Sequence, residues 1–229
     1  MRYVISDIHA EYELFIRLMD KISFSDSDEL YVCGDIIEKG PHSVKLARYI
    51  FSKPNIHAIM GNHEDGFIKY YHFLMEDDDI SHDEVLAKLG EYLQGDGSEL
   101  DFDTVDRIEA LPLYIEADSF ICVHAGLTLD EGGRVPRLSE IGAEQMLYNR
   151  RFKNTDVIPR DSKCVFFGHT TTEAICGKPR ILVYKKSGAH YGDIRDLSKV
   201  HLDTGTNVSG VLGCFCIDTC KAHYVKRYP

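Results

Sequence analysis

Three short apolar runs in the first sixty residues each stop at a polar cluster, and this repetition constrains the fold more than any other feature. Tyr3 to Ser6 leads into Asp7-Ile8-His9, Glu29 to Cys33 ends at Gly34-Asp35, and Ile56 to Met60 ends at Gly61-Asn62-His63-Glu64. Runs this short and apolar read as buried strands. Helical stripes lie between them. Leu14, Phe15, Leu18 and Ile22 share one face of a helix over Ala10 to Ile22, and a second helix over Ser43 to Phe51 follows Pro41, a residue favoured where helices begin. Strand, helix, strand, helix, strand is the βαβ pattern of an α/β protein. Ligand sites in such proteins gather beyond the carboxyl ends of the strands. Asp7, His9, Asp35, Asn62 and His63 all fall there. Taken singly, Asp7 reads as a helix cap and His9 as incidental. Packing gives no reason for five metal-competent or proton-competent residues at three successive strand ends. Asp7 and His9 are two apart, so an extended backbone points them the same way. Gly61 is expected to provide a tight turn ahead of Asn62 and His63.

From Glu64 to about Ala110 the chain becomes acidic and helical. Helices are expected over Glu64 to Met75, His82 to Leu93 and Phe102 to Ala110, with a break at Gly95-Asp96-Gly97. The run Glu76 to Asp79 reads as a solvated turn or helix end. No linker or internal repeat divides the chain, so residues 1–229 are expected to form one domain, with 64–110 inserted as a cap beside the site. Strands dominate thereafter. Leu113 to Glu116 and Phe120 to Val123 suggest a hairpin-like pair, the second ending at His124-Ala125-Gly126. A helix over Ser139 to Leu147 leads to Asn149-Arg150-Arg151, and Cys164 to Phe167 ends at Gly168-His169-Thr170. Further strands are expected over Arg180 to Tyr184, Lys199 to Leu202, Val211 to Ile217 and Ala222 to Val225, with a turn at Asp203-Thr204-Gly205.

The 229 residues, 44% hydrophobic and 28% charged, suffice for a sizeable core. A net charge of -11 and a pI near 5.4 argue against broad attraction to a nucleic-acid duplex or an anionic membrane. Seven cysteines in largely apolar contexts fit reduced thiols. With no apolar leader or membrane-length run in view, a cytoplasmic location is expected.

Two Asp, an Asn and several His, without a convergent cysteine, make a mixed oxygen and nitrogen donor set. It suits manganese, iron or zinc better than calcium. A carboxylate shared by two such ions supports hydrolysis at phosphorus, and a His not engaged by metal can protonate the leaving oxygen. Asn62 and His63 fit that division, and Glu38, just past Asp35, is a candidate to orient such a His.

These motifs resemble the calcineurin-like metallophosphoesterase superfamily, and more narrowly the bacterial and phage branch of the Ser/Thr phosphoprotein phosphatase family. The residues that carry the resemblance are Asp7-Ile8-His9, Gly34 through Gly40, Gly61-Asn62-His63-Glu64, His124-Ala125-Gly126 and Gly168-His169-Thr170, in the family's order, with Asp203-Thr204-Gly205 as a late turn. The resemblance implies two mixed β-sheets packed face to face with helices outside. It implies two divalent ions, manganese first, with iron or zinc as alternatives. Asp7 and His9 would hold one ion, Asp35 would bridge, and Asn62, His124 and His169 would hold the other. His63 would be the general acid, supported by Glu38. Arg150, Lys39 and Asn62 would meet the phosphate.

Two departures stand out. Glu38-Lys39-Gly40 replaces the family's Asp-Arg-Gly, so a point charge stands where a bidentate fork is usual. Leu147-Tyr148 replaces its Leu-Trp. The leading expectation is a phosphatase acting on phosphoserine or phosphothreonine in proteins. The alternative is a symmetrical dinucleoside polyphosphate hydrolase, which would need an aromatic or apolar base slot, with the cap as the place to find one. Activity on small phosphoesters fits either. A phosphate-binding pseudo-enzyme ranks below both and rests on Glu38 and Lys39 alone.

Overall fold

The opening βαβαβ run builds more than half of one sheet. In the computed structural model, which describes residues 1–94, 100–156, 163–188 and 192–227, β1 (Arg2–Ile5) pairs in parallel with β2 (Glu29–Val32), and β2 with β3 (Ile56–Ala58). Helices α1 (Tyr12–Ile22) and α2 (Ser43–Phe51) join them, and α3 (Asn62–Met75), α4 (His82–Tyr92) and α5 (Phe102–Glu109) follow. The chain then crosses to a second sheet. There β4 (Tyr114–Glu116) and β5 (Phe120–Val123) form the expected antiparallel pair, and β6 (Cys164–Phe167), β7 (Leu182–Lys185) and β8 (Leu197–His201) complete the order β4-β5-β6-β8-β7. Finally β9 (Val211–Cys216) and β10 (Lys221–Lys226) return to the first sheet, in the order β10-β9-β1-β2-β3. Both sheets are mixed.

Side-chain alternation explains why the strands read as continuous apolar runs. On β1, Val4 faces the interior between the sheets with Phe166 and Phe215, whereas Tyr3 and Ile5 lie under α1 and α2 with Phe15 and Leu46. On β6, Cys164 and Phe166 face inward, and Val165 and Phe167 pack outward against Leu138, Met146 and Phe152. A sheet covered on both faces has no solvent side to carry polar residues.

The inserted helices share this packing. Phe67, Val85, Leu89, Val105 and Ile108 belong to the same apolar cluster as Phe15 and Leu46. Ser81 caps α4 through a reciprocal pair with Glu84, and the Asp101 carboxylate accepts from Thr104 N at 2.8 Å to start α5. The expected break at Gly95-Asp96-Gly97 lies outside the described residues. The expected helix over Ser139 to Leu147 divides into a 3-10 turn, Leu138–Glu140, and α6 (Ala143–Tyr148), because Gly142 between them is extended. Among the described residues no helix is long and apolar enough to cross a membrane.

One buried carboxylate fixes the start of α3 against the loop after β2. Glu64 accepts backbone N–H groups from Gly61 at 2.7 Å, Asp35 at 2.9 Å, Ile36 at 2.8 Å and Ile37 at 3.1 Å. Gly61 makes this approach possible by size, not by turning. Its backbone is extended at φ -103°, and a Cβ there would collide with the backbone and carboxylate of Asp35.

Glu64→Gln keeps the shape but sets an amide NH2 against buried N–H donors. It is expected to destabilise the chelator-treated protein by about 2–4 kcal/mol, read as a lower urea midpoint at unchanged slope. A wild-type midpoint would show that these bonds add nothing to stability.

Candidate active site

The loops after β1, β2 and β6 hold unusual backbone. Ten described residues other than glycine have positive φ, and seven of them are Asp7, His9, Ala10, Asp35, Glu38, Lys39 and His169. Such conformations are strained for L-residues and persist only where surrounding bonds enforce them. Here Asp7 N donates to Gly34 O at 3.2 Å, His9 N to Asp35 O at 2.9 Å and Ala10 N to Ile36 O at 2.7 Å. The first two loops are therefore zipped together. Asp7 and His9 converge through left-handed backbone, not through the extended spacing expected from sequence, and α1 starts at Tyr12 instead of Ala10 for the same reason. The third loop closes in because Gly168 has no side chain; a Cβ would strike the Asp7 carboxylate and Ser6 Oγ. His169 N then donates to Asp7 Oδ1 at 3.2 Å and Oδ2 at 3.1 Å.

Asp35 stands at the centre. Its Oδ2 lies 3.6 Å from His9 Nε2 and 3.8 Å from His63 Nε2, and its Oδ1 lies 3.4 Å from His124 Nε2. Across from it, Asn62 Oδ1 is 2.9 Å from His124 Nε2 and 2.7 Å from His169 Nδ1, and those two nitrogens are 3.2 Å apart. His124 Nδ1 donates to Cys33 O at 2.9 Å, which turns Nε2 inward toward Asn62 and Asp35. Burial drives His9 and His169 down to about 3, which keeps both neutral. Burial alone would raise Asp35, but the facing His124, His9 and His63 hold it at about 2. Burial raises Asp7, and the nearby Asp203 and Asp35 charges add to that.

Neutral His9 and His169, the Asn62 amide oxygen and an ionised Asp35 thus gather in one place, a donor set that a cation satisfies. Ligand atoms of His9, Asp35 and His63 lie within 4.8 Å of one another, and those of Asp7, Asp35 and His124 do so separately. Asp35 belongs to both sets. This donor chemistry fits two divalent ions that share one carboxylate. The Lys39 ammonium, 3.2 Å from His9 Nε2, aims a positive charge at the same region.

His63 differs from the other histidines. Its Nδ1 is 2.6 Å from Glu38 Oε2, so the longer carboxylate does reach it. Burial opposes its charge, but the Glu38 bond and the Asp35 charge raise its pKa above the ordinary value. A protonated imidazole beside a cation site is the arrangement a general acid requires.

Arg150 follows α6 and is exposed; its charge reaches His169, and among the described residues its guanidinium makes no hydrogen bond or ion pair. Sequence reasoning gave no role to Tyr92, Tyr148 or Asp65. The Tyr148 ring meets His169 edge-on at 6.4 Å, and its hydroxyl donates to Asp65 Oδ2 at 2.5 Å. Glu64 carried a signal, since it closes the Gly61-Asn62-His63-Glu64 motif, but nothing in the sequence showed that it would accept four backbone bonds.

The chain matches the family model described as calcineurin-like phosphoesterase over residues 2–198. A protein of Buchnera aphidicola (subsp. Acyrthosiphon pisum, strain 5A) named symmetrical bis(5'-nucleosyl)-tetraphosphatase is 43% identical over 68 residues, covering 29% of this chain and 25% of that one. One of the same name from Haemophilus ducreyi is 31% identical over 136 residues, 55% of this chain and 45% of its relative. The matches therefore span less than half the length of these relatives. Among solved structures, a protein proposed to be a diadenosine tetraphosphatase aligns with a TM-score of 0.71 at 17% identity, over 99% of this chain and 93% of its own. A Saccharomyces cerevisiae protein serine/threonine phosphatase aligns at 0.55 and 15% identity, over 93% and 71%. These two share the fold. With the family model matching most of its length and five motifs meeting around Asp35, the chain belongs to the calcineurin-like phosphoesterases.

Proposed function

We propose that this phosphoesterase hydrolyses dinucleoside polyphosphates symmetrically, releasing two nucleoside diphosphates from a tetraphosphate. The observation that carries the choice is the name shared by the relatives in the Buchnera and Haemophilus species, whose similarity extends over as much as 55% of the chain. The order of the two readings made from sequence is therefore reversed, and the phosphoprotein substrate becomes the second. Nothing in the site's donor set separates them, because both reactions transfer a phosphoryl group to water.

Two divalent ions bound around Asp35 would supply a water nucleophile at neutral pH and polarise the phosphoryl oxygens. In this proposal Asp7 and His9 would hold one, Asn62, His124 and His169 would hold the other, and Asp35 would serve both. His63 gives its Nε2 proton to the leaving phosphate oxygen as the bridging P–O bond breaks. Glu38 keeps the proton of Nδ1 directed away, so the imidazole presents a single proton to the substrate. Arg150 and Lys39 steady the phosphate charge. Lys39 does so as a point charge, and it must turn from His9 when that ring takes a cation.

Chelator-stripped protein supplied with manganese is expected to convert diadenosine tetraphosphate to adenosine diphosphate and to release little phosphate from a phosphothreonine peptide. The reverse pattern would restore the protein phosphatase reading, and two bound metals with neither activity would favour the pseudo-enzyme. His63→Asn is expected to lower turnover by about 100-fold or more while metal content stays near that of wild type; loss of an ion would make His63 a ligand. Asp35→Asn is expected to reduce both metal content and turnover, and full metal loading in that variant would remove the bridging role.

A further inference from the structure

Three aromatic rings form a row on the face of α3 and α4. Tyr92 stacks on Tyr70 with centroids 5.2 Å apart and planes 23° from parallel. Tyr70 stacks in turn on Phe73 at 6.5 Å and 17°. Phe73 is 68% exposed and Tyr92 36%. A lone exposed ring needs no explanation, but nearly parallel rings in series are a different feature.

The row begins at the candidate active site. Burial, and then the Glu38 charge beside its hydroxyl, push the Tyr92 phenol up to about 12, and Glu38 is the carboxylate that holds His63. The Tyr92 hydroxyl also sits close over Gly66 in the first turns of α3, 3.2 Å from where a Cβ would stand. Phe73 lies farther along the same helix, about 15 Å from His63 at 1.5 Å rise per residue. Phosphates held at Asp35 would thus leave a base within range of the outer rings.

We propose that the Tyr92-Tyr70-Phe73 row is a stacking platform for the base of one nucleoside, with Phe73 presenting its open face. The ligand is a nucleoside 5'-diphosphate unit, as part of the substrate or as product. The proposal rests on the nucleotide reading above. Flat π-faces accept any base, so the platform would confer affinity for nucleosides without strict choice among them.

The test is calorimetric binding to the manganese-loaded protein. Two probes are compared: adenosine 5'-(α,β-methylene)diphosphate, which resists hydrolysis, and methylenediphosphonate, which lacks the nucleoside. Phe73→Ala is expected to weaken the nucleotide analogue on the order of tenfold and to leave the diphosphonate unchanged. Phe73→Tyr should retain wild-type affinity for both. Because no bond is broken, this result is independent of whether the wild type cleaves diadenosine tetraphosphate, so the platform and the reaction can fail separately. The proposal falls if Phe73→Ala binds the analogue as wild type does, or loses both probes equally. It falls also if the wild type binds the analogue no more tightly than the diphosphonate. A rise in KM for a phosphothreonine peptide without loss of the analogue would assign the row to a peptide and overturn it.

Discussion

The bonds made by Glu64 fix together the two segments that carry Asp35, Asn62 and His63. One buried carboxylate collects N–H groups from the loop after β2 and from the entry to α3. The loop carries Asp35, and the entry carries Asn62 and His63. Four donors around one anion turn a desolvated charge into a rigid joint, because releasing any of them leaves a buried polar group unpaired. The loop after β1 is zipped onto the same segment, and the loop after β6 rests on Asp7. The strained backbone at Asp7, His9 and Asp35 is held by these contacts and not by local preference.

That rigidity has an electrostatic consequence. Asp7, Asp35 and Asp203 lie buried near one another, and burial with mutual repulsion raises Asp7 and drives Asp203 up to about 7. Of the histidines packed nearby, His9 and His169 are held neutral by burial, whereas His63 is raised by Glu38 and Asp35. The protein thus concentrates buried acceptors at one place, which is the inverse of what stable packing alone would select. On a chain with a net charge of -11, a phosphorylated substrate is drawn only by local positive charge. Lys39 and Arg150 are the side chains at hand, and bound ions would be the larger source.

Much of this was legible from sequence, because strand ends announce themselves. An apolar run followed by Asp, His or Asn needs no tertiary knowledge to be suspect, and five in order name the fold. What stayed hidden depends on contacts between distant segments or on backbone torsions. Asp7 and His9 were expected to align by the two-residue period of a strand, yet both occupy left-handed backbone that no pattern of side chains reveals. Gly61 looked like a turn and serves as clearance for Asp35. The contact between Tyr92 and Glu38 joins segments remote in the chain, and the aromatic row needs the packing of α3 on α4 before its rings can stack. An aromatic slot in the insertion was a requirement that the sequence could pose but not answer. Substrate choice was less legible for the same reason: the motifs encode the reaction, and the surface around them encodes what is brought to it.

Helix α3 joins those two kinds of information in one rigid element. Its first residues, Asn62 and His63, enter the cluster around Asp35, and His63 N donates to Asp35 Oδ1 at 3.2 Å. Farther along, half-buried Tyr70 stacks on exposed Phe73. Phe67 and Leu74 on its buried side belong to the same apolar cluster as α1 and α2, so the helix cannot tilt without opening that core. The distance between phosphate chemistry and aromatic surface is consequently set by helix pitch, not by a loop. A fixed span favours ligands whose own length is fixed by covalent structure, such as a base joined through ribose to a short phosphate chain. A phosphopeptide, whose side chains reach a surface from a flexible backbone, gains less from such a ruler.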